Sequence, residues 1–335
     1  MGDSAINRNR LFFLSISNII GYLLGEIGGS INKKVVSAVK DSIIKHSNHR
    51  DVPAHFKFDF SFSLIKGYDH ISNFRFTYNN YNEKQSFDKK IINAFNVLNY
   101  NYKTRYNTLK LKEIFNAIKV RDKHQTTFGM DWPIGSYPRL KIYLEELLIS
   151  DSQKSRLNKI STISKIINFN GEDIITALKD YLISVIGIDF FCDSTYSIKI
   201  YNYSKHLSLG RYRDLLTWRQ YAYFENFFEK FTKEKSAFYQ IAYRFDKGGH
   251  LIPLKILKIY ENNISDFSSS YKEIFNFLKC WNLRSHLNAI EDLIKICDKN
   301  DFVMYPCIIS TDRKRNQGMN YKADLHFSIK HKSYV

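Results

Sequence analysis

One tripeptide, Lys-Ile-Tyr, recurs along the chain as Lys141-Ile142-Tyr143, Lys199-Ile200-Tyr201 and Lys258-Ile259-Tyr260, in steps of 58 and 59 residues. In an extended strand residues i and i+2 share a face, so each copy sets an ammonium beside a phenol and turns the isoleucine away. Three such strands in one sheet would gather cations and aromatic rings on a common face. A chain rich in Lys, Ile and Tyr can produce one copy by chance, but three at even spacing are harder to reach that way.

The flanking sequence has a period of two. In His55–Leu64, Phe56, Phe58, Phe60, Phe62 and Leu64 alternate with Lys57, Asp59, Ser61 and Ser63, which predicts a half-buried strand. A turn at Lys66-Gly67 leads to Asn73–Tyr78, where Phe74, Phe76 and Tyr78 oppose Asn73, Arg75 and Thr77. Similar hairpins are expected at 128–144, 187–203, 237–260 and 303–329. Between them the period lengthens to that of helices, at about 87–100, 108–120, 156–168, 171–184, 211–233, 269–281 and 285–298. Residues 11–46 also read as helical, broken at Gly28-Gly29.

The chain therefore repeats a hairpin followed by helices, about five times. The second strand of each unit carries a polar pair at matching places: Arg75/Thr77, Lys141/Tyr143, Lys199/Tyr201, Lys258/Tyr260 and Lys322/Asp324. The predicted fold is α+β: a ten-stranded antiparallel β-barrel of five α-β-β-α units, with helices outside and a polar, solvent-filled lumen. The whole of 1–335 is expected to form a single domain, with the helical segment 1–50 packed outside. If the sheet were open instead, the same Lys and Tyr residues would be an ordinary solvated face.

The net charge of +17, from 50 basic and 33 acidic residues, favours phosphate-bearing partners, although a Lys-rich composition can also follow from an AT-rich genome. The four cysteines, Cys192, Cys280, Cys297 and Cys307, have no metal-site spacing, and reduced cytosolic thiols are expected. The most apolar stretch, Leu11–Ile31, is interrupted by Asn18, Gly21, Glu26, Gly28 and Gly29, so it reads as a buried or amphipathic helix rather than a membrane span. A cytoplasmic monomer is the expectation.

In its order of segments the chain resembles the ABBA aromatic prenyltransferases, and among them the cyanobactin prenyltransferases, which modify ribosomal peptides. The resemblance is carried by Phe58-Asp59-Phe60, Asn73-Phe74-Arg75, Arg139-Leu140-Lys141-Ile142-Tyr143, Ile186-Gly187-Ile188-Asp189-Phe190, Ile198-Lys199-Ile200-Tyr201 and the last hairpin with Lys322. It spans roughly 50–330, and no single motif in it is specific. It implies transfer of a dimethylallyl group, or a geranyl group, from dimethylallyl diphosphate or geranyl diphosphate to a side chain of a cyclic or linear ribosomal peptide. Tyr is the favoured acceptor, with Trp, Ser/Thr, His or Arg as alternatives.

The residues suit that chemistry. No D-D-x-x-D motif for Mg²⁺ is present, so a ring of Arg75, Arg139, Lys141, Lys199, Lys258 and Lys322 would take the diphosphate directly. Mg²⁺ could assist, but no metal motif requires it. Tyr143, Tyr201 and Tyr260 would shield the allyl cation with their π faces. By the resemblance, Asp59 is the carboxylate near the acceptor, a general base or cation stabiliser, standing where the cyanobactin enzymes carry Glu. Tyr239 and Tyr243 lie on the strand that sets donor length in the family. His326, two residues past Asp324, is an acid/base candidate. Two other classes compete: a nucleic-acid-binding protein, for which charge and aromatics are available but no binding module is recognisable, and a non-catalytic phosphate-binding barrel.

Overall fold

In a computed structural model the described residues are 57–65, 73–79, parts of 92–100, 103–118, 126–133, 137–144, 152–168, 183–204, 218, 222, 238–245, 251–260, 267–280, 285–313 and 321–332. The expected helices at 11–46 and 211–233 lie outside this set or almost wholly so.

Ten strands pair in one closed antiparallel ring, ordered β1-β10-β9-β8-β7-β6-β5-β4-β3-β2. They are β1 (Lys57–Ile65), β2 (Asn73–Asn79), β3 (Thr126–Pro133), β4 (Arg139–Leu144), β5 (Ile183–Phe190), β6 (Tyr196–Ser204), β7 (Phe238–Phe245), β8 (Leu251–Ile259), β9 (Phe302–Arg313) and β10 (Tyr321–His331). Every neighbour except the β10–β1 seam follows in sequence, so the ring is a meander closed by its first and last strands. Ile183 and Ser184 belong to β5 and not, as the helical reading of 171–184 has it, to a helix end. The run from Ile183 to Ile188 has apolar residues on both faces, which periodicity alone cannot assign.

The principal core lies outside the ring. On β1, Phe60, Phe62 and Leu64 are buried in one cluster with Phe128, Met130, Leu140, Ile142, Ile186, Ile188, Ile198 and Ile200 from the following strands. Helices cover that face: α1 (Thr108–Ile118), α2 (Gln153–Ile166), α3 (Phe267–Cys280) and α4 (Ser285–Lys299). Each contributes residues at helical spacing, such as Leu111, Ile114 and Phe115 from α1 and Ile290, Leu293 and Cys297 from α4. Local signals set the helix starts. Asn107 Oδ1 accepts from the Lys110 amide at 3.0 Å, and Ser152 Oγ accepts from the Ser155 amide at 3.3 Å.

Because the apolar residues of the strands face the helices, the alternate positions face the lumen. That inner face carries Asp59, Ser61 and Ser63 on β1, Arg75 and Thr77 on β2, Asp131 on β3, and Lys141 and Tyr143 on β4. It continues through Asp189, Lys199, Tyr201, Arg244 and Lys255 to Asp324, His326 and Ser328. No described helix is long and apolar enough to cross a membrane, and the four cysteines are free.

Candidate active site

Cross-strand register assembles the site, since directly paired residues point to the same face. Arg75 stands opposite Asp131, Asp131 opposite Arg139, and Lys141 opposite Asp189. The side chains complete a chain of shared charges. Asp131 takes Arg75 at 3.6 Å, Lys141 at 3.3 Å and the amide of Asn73. Lys141 Nζ reaches on to Asp189 at 3.2 Å, and Asp189 is bonded in turn by Lys199. A second cluster lies across the lumen, where Asp324 is held by Lys322 at 3.1 Å, Lys255 at 3.2 Å and the Ser63 hydroxyl. Lys255 also donates to Ser310 Oγ at 3.4 Å.

Burial makes these charges interdependent. Burial alone would raise the Asp131 pKa, yet Lys141 and then Arg75 hold it well below the usual carboxylate range. Asp189 is lowered in the same way by Lys141 and Lys199, and Asp324 by Lys322, Lys255 and Arg75, in each case against burial. Burial works against the Arg75 charge, but Asp131 together with Tyr143, Asp324 and Tyr201 outweighs it. The lysines are poised differently. Burial lowers Lys199 and Lys255 to about 8, with Asp189 and Asp324 respectively resisting. Burial, then Lys255 and Arg75, push His326 well below its ordinary value, so its imidazole is neutral at pH 7.

Between the clusters the lumen wall is apolar. Tyr201, Ala242 and Leu257 pack together with Tyr143, Val185 and Ile308. The Tyr143 and Tyr201 rings meet edge to face at 6.2 Å. Both lie against a bare backbone: a Cβ on Gly187 would come within 3.2 Å of Tyr201 Cε2 and 3.4 Å of Tyr143, and one on Gly129 within 3.3 Å of Tyr143 Cε2. Burial raises the pKa of both phenols, which therefore stay protonated.

The structure brings together most of the residues singled out from sequence. Arg75, Lys141, Lys199 and Lys322 share the lumen with Tyr143 and Tyr201. Arg139 occupies a lumen register position, with its guanidinium 5.6 Å from the Phe191 ring centre. Asp59 lies on the same face, accepting from the Ser328 hydroxyl, while its backbone carbonyl accepts from Thr77 Oγ1 at 3.5 Å.

Four assignments are corrected. Lys258 points outward, fully buried, and pairs with Glu273 on α3. Tyr260 also belongs to the outer core, under the Lys258 ammonium at 5.2 Å. Strand β8 reads Leu-Ile-Pro-Leu-Lys-Ile-Leu-Lys-Ile, apolar on both faces, so either lysine could have faced in. Lys255 and Lys258 are three apart and must oppose each other. The lumen takes Lys255. Tyr243 stands opposite Ile200 of the outer core, and Tyr239 stands opposite Lys258, so both occupy outward register positions.

Asp131, Asp189, Lys255 and Arg244 were not picked out as site residues. The first two carried a signal, because they lie 58 residues apart, the same step that separates Lys141 from Lys199. Arg244, opposite Lys199 and exposed, sits on a strand with apolar residues on both faces, which hid it.

No known family profile and no curated protein matches the sequence. Solved structures do. The 5-dimethylallyl tryptophan synthase from Streptomyces coelicolor, in complex with DMASPP and Trp, superposes with a TM-score of 0.70 at 11% identity, covering 96% of this chain and 95% of that one. PriB in binary complex with product diphosphate gives 0.67 at 10% identity over 98% and 96%. The NotF prenyltransferase gives 0.61 at 13% identity over 92% of each chain. At these identities the likeness is one of fold: the chain has the same barrel fold as those proteins.

Proposed function

We propose that this chain is a prenyltransferase that binds an allylic diphosphate in its barrel and transfers the prenyl group to an acceptor held beside Asp59. The observation that carries the reading is the inner wall of Arg75, Lys141, Lys199, Lys255 and Lys322, gathered around Tyr143 and Tyr201. Buried cations need counter-charges, and Asp131, Asp189 and Asp324 supply them. Five cations share these three carboxylates, which leaves the wall with a positive excess. A diphosphate is the natural partner for that surplus, and PriB, with the same fold, is described with product diphosphate.

The steps follow from the geometry. The C1–O bond of the donor ionises and its electron pair leaves with the diphosphate, where the cations stabilise the growing charge. Arg139 and the exposed Arg244 extend the same positive wall. The Tyr143 and Tyr201 rings shield the allyl cation from water. Val185, Ala242, Leu257 and Ile308 form the apolar surface for the prenyl tail, in place of Tyr239 and Tyr243. Asp59 acts on the acceptor side, as general base or cation stabiliser. Among the described residues no group of three His, Cys, Asp or Glu is placed to hold a metal. Mg²⁺ accompanying the donor would ride on the diphosphate itself.

Dimethylallyl diphosphate is the expected donor, with geranyl diphosphate second. The acceptor is proposed to be a side chain, Tyr first, of a ribosomal macrocyclic peptide, in keeping with the segments shared with the cyanobactin enzymes. A free aromatic amino acid is the second reading, favoured by the tryptophan bound in the Streptomyces coelicolor structure of the same fold. Incubation with dimethylallyl diphosphate and parallel panels of cyclic peptides, L-tyrosine and L-tryptophan decides between them. The expected result is a product heavier by one C5H8 unit in the peptide panel. Donor left intact with every acceptor, together with oligonucleotide affinity that falls steeply with salt, would replace the enzyme reading with nucleic-acid binding.

A further inference from the structure

We propose that His326 takes the acceptor's proton, and that filling the cation wall with the donor's diphosphate is what enables it to do so. The inference rests on the prenyltransferase reading and adds to it a residue and an order of events.

His326 lies on the lumen face of β10, between Leu325 and Phe327 of the outer core, opposite Ser61 of β1 and Ile308 of β9. Asp59, two residues before Ser61, is its diagonal neighbour at about 7 Å by strand geometry. The imidazole therefore stands at the acceptor end. Its Nε2 is buried with no hydrogen-bond partner among the described residues. A buried ring nitrogen left bare is unusual and fits a site awaiting a ligand atom. In the Nδ1–H tautomer, Nε2 offers its lone pair to the lumen. Asp59 is less free to act as base, since its carboxylate already accepts from Ser328. It is left to orient the acceptor and stabilise the allyl cation.

The groups facing His326 explain why it should wait for the donor. From its own strand come Lys322 and Asp324, from β8 Lys255 and from β2 Arg75; β1 presents the neutral Ser61 with the carboxylate of Asp59 diagonally beyond it, and β9 the neutral Ile308. Burial and two of those cations, Lys255 and Arg75, oppose a charged imidazole more than Asp324 favours it. The same cations form the wall assigned to the diphosphate. When that polyanion binds, the field at His326 reverses, and an imidazolium becomes tolerable. Chemistry then balances. The new bond forms between C1 and the acceptor atom, and the C1–O pair leaves on the diphosphate. The acceptor's proton moves to Nε2, while the pair that bound it stays with the product. Donor binds first, and only then can the acceptor be deprotonated.

The test uses inorganic pyrophosphate in place of the donor, so it needs no acceptor. Histidine imidazole signals are followed by NMR against pH, with and without saturating pyrophosphate, and His326→Gln identifies its resonance by loss. The expected result is an upward shift of about one pH unit or more in the His326 midpoint. Pyrophosphate that binds, as seen by calorimetry, yet leaves that midpoint unmoved overturns the coupling while sparing the donor site. Pyrophosphate that does not bind overturns the donor site and the coupling with it. In turnover with an acceptor found as above, His326→Gln should lower kcat about 100-fold with the donor KM nearly unchanged and remove the acid limb of the pH profile. A His326→Gln enzyme with full kcat and an intact acid limb removes His326 from the proton transfer.

Discussion

Single side chains divide sharply by face. Lys141 and Lys199 each touch Asp189, and both are expected to contact the diphosphate. Replacing either with alanine removes a charge-assisted contact of about 1.5–3 kcal/mol, so the donor KM should rise roughly 10- to 100-fold in steady-state kinetics. The pH dependence has a definite sign. Lys199 and Lys255 have pKa values brought down to about 8, so both are mostly charged at pH 7 and lose their charge as pH rises through 8. The donor KM should therefore climb on the alkaline side, in a region where an ordinary lysine would still be cationic. A flat profile between pH 7 and 9.5 would argue against these two amines as ligands. Arg75, Lys141 and Lys199 were legible from sequence because their strands alternate cleanly. Lys255 and Arg244 were not, because β8 and β7 carry apolar residues on both faces and the period vanishes.

At the level of elements, β8 is the strand where a repeated tripeptide misleads. The Lys-Ile-Tyr copies on β4 and β6 place Lys and Tyr inside, whereas the copy ending β8 places them outside, one pleat out of phase. A bulge interrupts the β7–β8 pairing between Ala242 and Tyr243, and beyond it Ala242 pairs with Lys255. The outer Lys258 instead fastens α3 to the barrel through Glu273. Both side chains are substantially buried, so Glu273→Gln removes a buried counter-charge of Lys258 and should cost about 3–5 kcal/mol. Thermal denaturation would read that loss as a lower Tm. Donor KM should stay within twofold of wild type in the surviving folded enzyme, which separates a fastening pair from a diphosphate ligand. Helix positions were easier to foresee than these facings: α1, α2, α3 and α4 each lie within a few residues of their expected spans, since caps and a long apolar stripe agree there.

For the whole molecule, the lumen is held by opposite charges rather than by oil. Asp131, Asp189 and Asp324 each have a folded pKa below the ordinary value. Such a group contributes stability above the usual carboxylate range and loses it as pH falls through that range toward the folded value. Urea midpoints should therefore be nearly constant from pH 7 to 5 and drop steeply below about pH 4. Asp189→Asn should flatten that acid limb, and an unchanged slope would show that the carboxylates titrate as they do in the unfolded chain. The barrel itself could be foreseen from five repeated hairpins. Its charge pairing could not, because cross-strand register decides which carboxylate meets which lysine, and register is not written in any one strand.

Closure of the ring between β1 and β10 has a consequence for how the protein comes into being. Ser63 reaches Asp324 across 261 residues of chain, and Asp59 meets Ser328 across 269. The ribosome delivers the first partner of each contact long before the second. Until β10 emerges, the nascent chain holds an open sheet with two unsatisfied edges, the kind of surface that chaperones shield and that aggregates when they do not. His326 and Asp324 arrive on that last strand, so the proposed acid–base group and one anchor of the cation wall are the final parts installed.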